Sequence, residues 1–309
     1  MIKLHAWGSS LTDTPFRQEY GIQYFVNEGV IFTNEGEADL IVSGNLKQLL
    51  GCMLRHGRNK KYLLWSIEPR WCKHFEPRIS SDMLPEFHVM NLYTGIFDNN
   101  YLYLPVEPEI SAFNRFGGSE KKRIISLMTY QSGPFWRFMH DGTDLDLCNL
   151  RTEIALEGHR RGCLDIYGRG WPGNIAKGES RATGWEEKKS DILRKYHFNL
   201  CFENTNWPYY CTEKIWHAVQ GGCLPIYYGK SNKIYEDFPE DSFIDYCTFN
   251  DSGALFDYIL EMKPDEFERR MQVCVQSYNR ALVNKKEIMP YKRILQKTLL
   301  KFQSILSSD

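Results

Sequence analysis

Residues 196–229 constrain the fold of this chain most strongly, because their pattern predicts a strand, a polar loop, a helix and a second strand in that order. Apolar and polar residues alternate over positions 198–202, which is typical of a β-strand. Thr212 is a favourable N-cap for the helix, and Gly221 is suited to end it. The apolar run at 224–228 predicts the second strand. This order of elements is that of a parallel βαβ crossover.

The polar groups of this segment stand where a βαβ unit binds its ligands. The ligand site of a parallel sheet lies at the carboxyl ends of its strands, and a helix N-terminus there offers unpaired N–H groups to an anion. Glu213 and Lys214 occupy the first turn of the predicted helix, so a phosphate is a sensible ligand. The alternative is that both are solvated first-turn charges, and their spacing alone does not separate the two interpretations.

Length, charge and cysteine usage narrow the class of protein. A chain of 309 residues has room for two domains. The net charge of -1 disfavours nucleic acid as a partner, because binding its phosphates requires a basic excess. The 9 cysteines include no C-x-x-C pair, which favours reduced structural thiols of an intracellular protein and disfavours a zinc site.

The distribution of apolar residues predicts a cytoplasmic, soluble protein. The N-terminal sequence turns polar within about ten residues, unlike a signal peptide or membrane anchor. No run of about 18 apolar residues, long enough for a transmembrane segment, occurs in the sequence. The last predicted helix, at 291–306, has an apolar face. We expect this face to pack within the fold, and peripheral contact with a membrane surface is the alternative.

Alternating strand and helix patterns indicate an α/β fold with two domains. The first is predicted to cover 1–118 and the second 119–284, with a helix in 285–309 packing near the first. Breakers and charges at 107–123 are typical of a linker. Besides the segment above, strands are predicted at 2–6, 38–42, 62–65, 101–105, 124–128 and 163–167, and helices at 45–54, 146–158, 252–262, 265–284 and 291–306.

Two short motifs are poor candidates for ligand sites. Residues 168–173 fit G-x-G-x-x-G and follow a predicted strand, but no amphipathic helix follows them. A dinucleotide site requires that helix for the pyrophosphate. Asp144 and Asp146 fit the D-x-D motif with which many sugar transferases hold a divalent ion. Because Asp146 directly precedes a helical pattern, we interpret it as a helix cap.

The central segment contains several short motifs, namely Phe202-Glu203-Asn204, Tyr210-Cys211-Thr212-Glu213-Lys214-Ile215, Gly222 and Pro225-Ile226. Together they resemble the signature of the α1,3/α1,4-fucosyltransferase family, glycosyltransferase family 10. The family pattern is F-E-N, Y-x-T-E-K and a later P-(I/V), which is long and specific. Tyr167-Gly168-Arg169 also resembles a family motif that follows a strand of the donor domain.

The resemblance implies a fold and a reaction. The fold is GT-B, in which two Rossmann-like domains face each other across a cleft, here with C-terminal helices. The reaction is inverting transfer of L-fucose from GDP-fucose to a GlcNAc or Glc hydroxyl of an N-acetyllactosamine-type glycan. GDP-fucose is a co-substrate, no cofactor is required, and α1,3 or α1,4 linkage and stimulation by a metal stay open. A transferase for another GDP-sugar and a non-catalytic glycan- or nucleotide-binding relative are the alternatives.

The resemblance also implies site residues in the second domain. Arg151 corresponds to an arginine that contacts the donor diphosphate, and a surface arginine is the alternative. Lys214 is expected at the same diphosphate. Asn204 and Glu213 are expected to bind ribose or fucose hydroxyls, and Tyr210 to pack on or hydrogen-bond the donor.

Glu68 is the candidate catalytic base in the first domain. It follows a predicted strand and precedes Pro69, which is a good setting for a carboxylate that removes a proton. The family has a glutamate in a comparable position, although its motif usually separates that glutamate from the proline by one residue. Glu76 and Glu86 are the alternatives for the base.

Overall fold

A computed structural model of the chain describes residues 1–7, 16, 19–105, 108–111, 122–179 and 184–307. The strands are β1 Ile2–Ala6, β2 Val30–Phe32, β3 Leu40–Ser43, β4 Lys61–Ser66, β5 Arg78–Ile79, β6 Phe87–Asn91, β7 Lys122–Leu127, β8 Met139–His140, β9 Thr143–Asp144, β10 Leu164–Tyr167, β11 Tyr196–Leu200, β12 Leu224–Tyr227 and β13 Ile244–Asp245. The α-helices are α1 Glu19–Asn27, α2 Leu46–His56, α3 Cys148–Arg160, α4 Trp185–Leu193, α5 Glu213–Gln220, α6 Ser252–Glu261, α7 Pro264–Ile288 and α8 Pro290–Ser307.

These elements form two compact units. The first consists of Met1–Asp98 with Ile288–Asp309, and the second of Asn99–Glu287. The predicted boundary between residues 118 and 119 lies outside the described residues. None of the described helices combines the length and the apolarity that crossing a bilayer requires.

The first unit is built on a six-stranded sheet of order β2-β1-β3-β4-β6-β5. Its strands are parallel except for β5, which pairs antiparallel with β6 at the edge. Helix α2 packs on the sheet through Leu49, Cys52 and Met53, which share a buried cluster with Tyr62 and Leu64. The side-chain amide of Asn45 caps this helix by accepting from the Gln48 N–H at 3.2 Å.

Helix α8 contributes its apolar face to the core of the first unit. Trp65 of β4 donates its indole N–H to Thr298 Oγ1 at 3.3 Å. Phe302 lies 5.5 Å from the ring of Phe25 in α1, and Ile294 and Ile305 are buried beside it. The apolar stripe of this last helix is therefore used for packing within its unit.

The second unit contains a parallel sheet of order β10-β7-β11-β12-β13. All residues of the central strand β11 are buried, including His197 and Asn199. The alternation that predicted this strand therefore does not mark a solvent face, because helices cover both faces of a parallel sheet. Phe267 of α7 lies against Phe198, with ring centroids 5.4 Å apart.

The structure confirms most of the predicted elements and corrects one. The α/β class, the strands around 2–6, 38–42, 62–65, 124–128, 163–167 and 224–228, and the five predicted helices are present. Residues 101–105 form a turn and not a strand, with the Leu104 N–H donating to the Tyr101 carbonyl at 3.2 Å. The reason is tertiary: the Tyr101 hydroxyl donates to Asp237, and this contact fixes the segment on the second unit.

Candidate functional site

The order of strands in the second unit identifies where its sheet can bind a ligand. From β7 the chain passes through α3 to β10 on one side, and it then returns to β11 on the other side of β7. The connections therefore diverge between β7 and β11, and ligands of open α/β sheets bind outside the carboxyl ends at such a switch point. The loops that follow β7 and β11 thus form the candidate site.

These two loops are bonded to each other through their backbones. The Leu147 N–H donates to the Asn204 carbonyl at 3.1 Å, and the Asn206 N–H donates to Leu145 at 2.8 Å. Asp146 and Thr205 pair as an antiparallel bridge between them. The start of α3 and the loop that carries Asn204 are consequently held in a fixed relation.

Asp146 accepts backbone N–H groups at the start of α3, although the N-cap position predicted for it is occupied by Leu147. Its Oδ1 accepts from the Cys148 N–H at 2.8 Å, and its Oδ2 accepts from the Asn149 N–H at 3.0 Å. Asp144 accepts from the backbone N–H groups of Phe138 and Asp146. Both carboxylates of the D-x-D motif are therefore committed to local backbone structure, as turn and cap residues commonly are.

Arg151 lies between the two loops and is only 6% exposed, so the interpretation as a surface arginine is wrong. Its Nη1 donates to the Phe202 carbonyl at 3.2 Å, and its Nη2 donates to the side chain of Gln131. Its buried Nε finds no hydrogen-bond partner among the described residues. A buried donor of a charged group usually has an acceptor, so this position suits a bound anion.

Glu203 is the centre of a buried polar network directly after β11. Its side chain is 2% exposed. It accepts from the Thr212 N–H at 2.8 Å, from the Thr212 hydroxyl at 2.8 Å and from the Tyr227 hydroxyl at 3.3 Å. Thr212 occupies the N-cap position of α5 as predicted, but its hydroxyl serves Glu203 and makes no capping bond. The network therefore fixes the start of α5 to the end of β11.

Lys214 completes this network. Its Nζ donates to Glu203 Oε2 at 2.9 Å and to Thr212 Oγ1 at 2.6 Å, and it is 3.9 Å from Glu213 Oε1. Burial lowers the pKa of the lysine, but the two carboxylates raise this pKa by more, so it is raised overall. The ammonium is thus held charged near the N-terminus of α5, where anions are favoured.

Glu213 differs from Glu203 in its exposure. Its side chain is 41% exposed, so it can meet a ligand. Burial would raise its pKa, but the positive charges of Lys214 and Lys189 outweigh this effect and lower the pKa of Glu213 to about 2. The carboxylate is therefore ionised at neutral pH and can accept hydrogen bonds from hydroxyl groups.

Two other predicted residues have distinct settings. Tyr210 is buried, and its backbone N–H donates to the Trp207 carbonyl at 3.1 Å. Asn204 is partly exposed on the same loop. The second unit thus brings five predicted residues to the loops after β7 and β11 and the adjoining helices α3 and α5: Arg151, Asn204, Tyr210, Glu213 and Lys214.

Glu68 lies in the first unit, two residues after β4. Its backbone N–H donates to Ser66 Oγ at 3.2 Å, and its carbonyl accepts from the N–H groups of Trp71 and Cys72 at 3.2 Å each. This turn fixes the backbone of Glu68 while the residue remains partly exposed. A glutamate with a fixed backbone and partial exposure suits the role of base that was expected for it.

The two alternatives to Glu68 have less suitable settings. Glu76 is exposed on an irregular segment. Glu86 forms an ion pair with Arg78 and accepts from Ser80 Oγ. Burial would raise the pKa of Glu86, but these contacts lower it overall. A carboxylate whose proton affinity is reduced in this way is a weaker base.

Some residues of the site were not predicted from the sequence. Gln131 contacts Arg151, and Lys189 contacts His217 of α5 with a separation of 2.8 Å. The importance of Glu203 as the anchor of Lys214 was also missed, although it stands in the F-E-N motif. Its position after a buried strand was the available signal, because a buried carboxylate requires partners.

Comparison with known proteins shows which family part of the chain resembles. Residues 150–272 match the family model of the "Glycosyltransferase family 10 (fucosyltransferase) C-term" domain. The chain is 33% identical over 122 residues to the 3-galactosyl-N-acetylglucosaminide 4-alpha-L-fucosyltransferase FUT3 of Homo sapiens, which covers 39% of this chain and 30% of that protein. It is 41% identical over 73 residues to the alpha-(1,3)-fucosyltransferase FucT of Helicobacter pylori, covering 24% of this chain and 15% of that protein. The chain therefore spans about a third or less of the length of these two relatives.

The fold is also shared with a solved structure. The crystal structure of an alpha1,3-fucosyltransferase matches 100% of this chain and 90% of that chain, with a TM-score of 0.50 and 18% sequence identity. This likeness confirms the predicted GT-B class. The motifs predicted to belong to the C-terminal domain, from Arg151 to residue 226, lie inside the segment that the family model matches. Residues 150–272 of the chain are thus similar to the C-terminal fucosyltransferase domain of glycosyltransferase family 10.

Proposed function

We propose that the protein transfers L-fucose from GDP-fucose to a GlcNAc or Glc hydroxyl of an N-acetyllactosamine-type glycan, in α1,3 or α1,4 linkage. The observation that carries this proposal is the network of Glu203, Thr212 and Lys214 at the switch point of the second unit. It holds a charged lysine beside the N-terminus of α5, which is a favourable arrangement for a diphosphate. The match of residues 150–272 to the fucosyltransferase family model supports the choice of sugar.

The unit Asn99–Glu287 would bind the donor, and the unit that contains Glu68 would bind the acceptor. Arg151 and Lys214 would hold the diphosphate. Glu213 and Asn204 would form hydrogen bonds with ribose or fucose hydroxyls, and Tyr210 would pack on the donor. The buried Nε of Arg151 supports its assignment to an anion.

The reaction would be a single displacement with inversion at the anomeric carbon. Glu68 removes the proton from the acceptor hydroxyl as that oxygen forms its bond to the anomeric carbon. The bond from this carbon to the phosphate oxygen breaks, and GDP leaves with increased negative charge. The transition state has oxocarbenium character, as in other glycosyl transfers. Lys214 and Arg151 stabilise the charge that develops on the diphosphate.

A metal ion is not required in this proposal, because these two cations meet the leaving group. Asp144 and Asp146 support this view, since both are occupied by backbone N–H groups. Stimulation by a divalent ion is compatible with the same chemistry. An activity that survives EDTA separates a required ion from a stimulatory one.

The direct test is GDP release from GDP-fucose by the purified protein, with and without N-acetyllactosamine, in EDTA. Release that the acceptor stimulates is the expected result. A Lys214→Met variant should reduce this release about 10²-fold or more, because one contact to a developing charge is lost. The exposed Lys188, replaced by Met, is the matched control and should leave the rate unchanged.

Two other results would change the assignment. Release from GDP-mannose but not from GDP-fucose would keep the site and replace the sugar. Binding of GDP without turnover of any GDP-sugar would identify a non-catalytic nucleotide-binding relative. Product linkage, determined by mass spectrometry and NMR of the fucosylated glycan, distinguishes α1,3 from α1,4 transfer.

A further inference from the structure

Lys189 on α4 is a cation of the second unit to which the proposed reaction gives no role. Its Nζ is 2.8 Å from Nδ1 of His217 on α5. Burial, together with the charge of Lys189, lowers the pKa of His217 to about 4. The imidazole is therefore neutral at pH 7, and its Nδ1 has a lone pair that accepts the lysine N–H.

Helical spacing connects this lysine to the donor site. His217 follows Glu213 by four residues on α5, so the two side chains share one face of the helix. Lys189 interacts electrostatically with Glu213, Lys214 and Glu203. Its ammonium thus lies beside the first turns of α5, with His217 as its hydrogen-bond partner.

The carboxylates and cations around Lys214 compete for one another as ion-pair partners. Two carboxylates, Glu203 and Glu213, stand near Lys214, at 2.9 Å and 3.9 Å from its Nζ. Lys189 and Arg151 are the further cations that interact with this group. Without Lys189, Glu213 would depend more strongly on Lys214, and the lysine would be drawn from its contact with Glu203.

We propose that Lys189 is a positioning residue of the donor site: held by His217, it serves as the counter-ion of Glu213 and so leaves Lys214 directed to Glu203 and the diphosphate. The inference rests on the proposed function, because Glu213 and Lys214 have their ligand-binding roles there. A purely structural role is the alternative, in which Lys189 only ties α4 to α5.

A double-mutant cycle separates these roles. Lys189→Met should reduce kcat/KM for GDP-fucose about tenfold, mainly through KM, because interacting neighbours are coupled by energies of this size. In a Glu213→Gln background the same change should reduce kcat/KM less than about twofold, because the carboxylate that Lys189 serves is no longer charged. Lys188→Met is the matched control, as its side chain is the exposed neighbour on the same helix.

The dependence of kcat/KM on pH would not change if Lys189 only connected α4 to α5. Loss of Lys189 removes one charge that keeps Glu213 ionised, so the acidic limb of kcat/KM for GDP-fucose should move to higher pH. Lys189→Arg retains the charge and should restore the profile at least in part. If Lys189→Met folds poorly, His217→Leu removes the partner of Lys189 and should produce the same shift in smaller degree.

Equal losses of kcat/KM in the two backgrounds, or an effect confined to Tm, would overturn the positioning role. The affinity for GDP, measured by calorimetry across the same four proteins, keeps this test independent of turnover. If the unaltered protein releases no GDP from any GDP-sugar, the proposed function fails. Non-additive GDP affinities in that case would still support the positioning of Lys214 by Lys189 and Glu213, and additive ones would reject it.

Discussion

The turn after β4 and the loop after β11 both present glutamates, yet they hold them in different ways. In the first unit, the backbone of Glu68 is held by hydrogen bonds, and the residue is partly exposed. In the second unit, Glu203 is 2% exposed and accepts from Thr212, Tyr227 and Lys214. The first glutamate is partly exposed, as its proposed role in proton transfer requires, whereas the second is a fixed part of the structure.

This difference follows from what each proposed task requires. A general base has to reach a substrate proton and release it later, so its carboxylate needs access. A diphosphate site gains from charges that are already oriented before the ligand binds, because no reorganisation is then needed during reaction. We therefore expect substitutions at the turn to affect turnover alone, and substitutions in the network to affect folding as well.

Glu68→Gln should have the largest effect on turnover. The amide cannot accept the acceptor proton, so acceptor-dependent GDP release should fall by about 10²- to 10⁴-fold. Tm and the affinity for GDP should change little, because Glu68 is partly exposed and the backbone hydrogen bonds of its turn do not depend on its side chain.

Glu76→Gln and Glu86→Gln are the matched controls for this base, since they are its two alternatives. Each should retain most of the activity. A larger loss in either control than in Glu68→Gln would transfer the role of base to that residue. Normal turnover in a folded Glu68→Gln protein would reject Glu68 altogether.

Glu203→Gln should have the largest effect on stability. It removes the charged partner of Lys214 and places an amide beside the ammonium, which should lower the free energy of unfolding by about 3 kcal/mol. Glu213→Gln is its counterpart at the other side of the same lysine. Because Glu213 is 41% exposed, that change should lower the free energy of unfolding by less than about 1 kcal/mol.

Urea denaturation of both variants measures this contrast. Similar losses in the two would mean that the network around Glu203 contributes no more than an exposed ion pair. Burial of Glu203 would then add nothing to the free energy of unfolding beyond what the more exposed Glu213 contributes.

Acid should weaken both units, and a histidine in each contributes to this effect. Burial lowers the pKa of His88 in β6 and of His217 in α5 from 6.5 to about 4. An unfolded chain binds these protons more readily, so the stabilising contribution is complete above about pH 6.5 and is lost as the pH falls toward 4. Each histidine should account for about 2 kcal/mol of lost stability between pH 6.5 and 5.

His88→Gln and His217→Gln test the two units separately. Each substitution should flatten the dependence of the free energy of unfolding on pH in this window, as followed by urea titrations at several pH values. An unchanged slope in His88→Gln would show that this histidine is not held neutral in the first unit. Only His217→Gln should also change the affinity for GDP, through Lys189.

Local patterns predicted the framework of both regions, because the strands and helices are encoded in nearby residues. The segment from β11 to β12 was identified by alternation, by Thr212 and by the F-E-N and T-E-K motifs. Tyr101 was misassigned to a strand because its structure depends on Asp237, a residue far along the chain. Propensity is overridden by such tertiary contacts.

The charge pairing of the site could not be predicted for the same reason. The T-E-K motif puts Glu213 next to Lys214, yet the closer partner of this lysine is Glu203. Lys189 reaches His217 from another helix, and no spacing rule connects them. Family motifs thus identified the residues that are proposed to contact the donor. The side chains that position these residues could be recognised only from the structure.

Trp71 offers the smallest effect and sharpens the contrast on the acceptor side. Trp71 is 68% exposed on the turn of Glu68, where its backbone N–H donates to the Glu68 carbonyl. Aromatic faces beside polar groups are common in ligand sites, so we expect the acceptor sugar to stack on this ring.

Trp71→Ala should raise the acceptor KM about tenfold, which corresponds to ~1.4 kcal/mol. Met83 of the first unit is 91% exposed, and Met83→Ala should leave this KM unchanged. Equal acceptor KM values in the two variants would show that the acceptor sugar does not stack on Trp71.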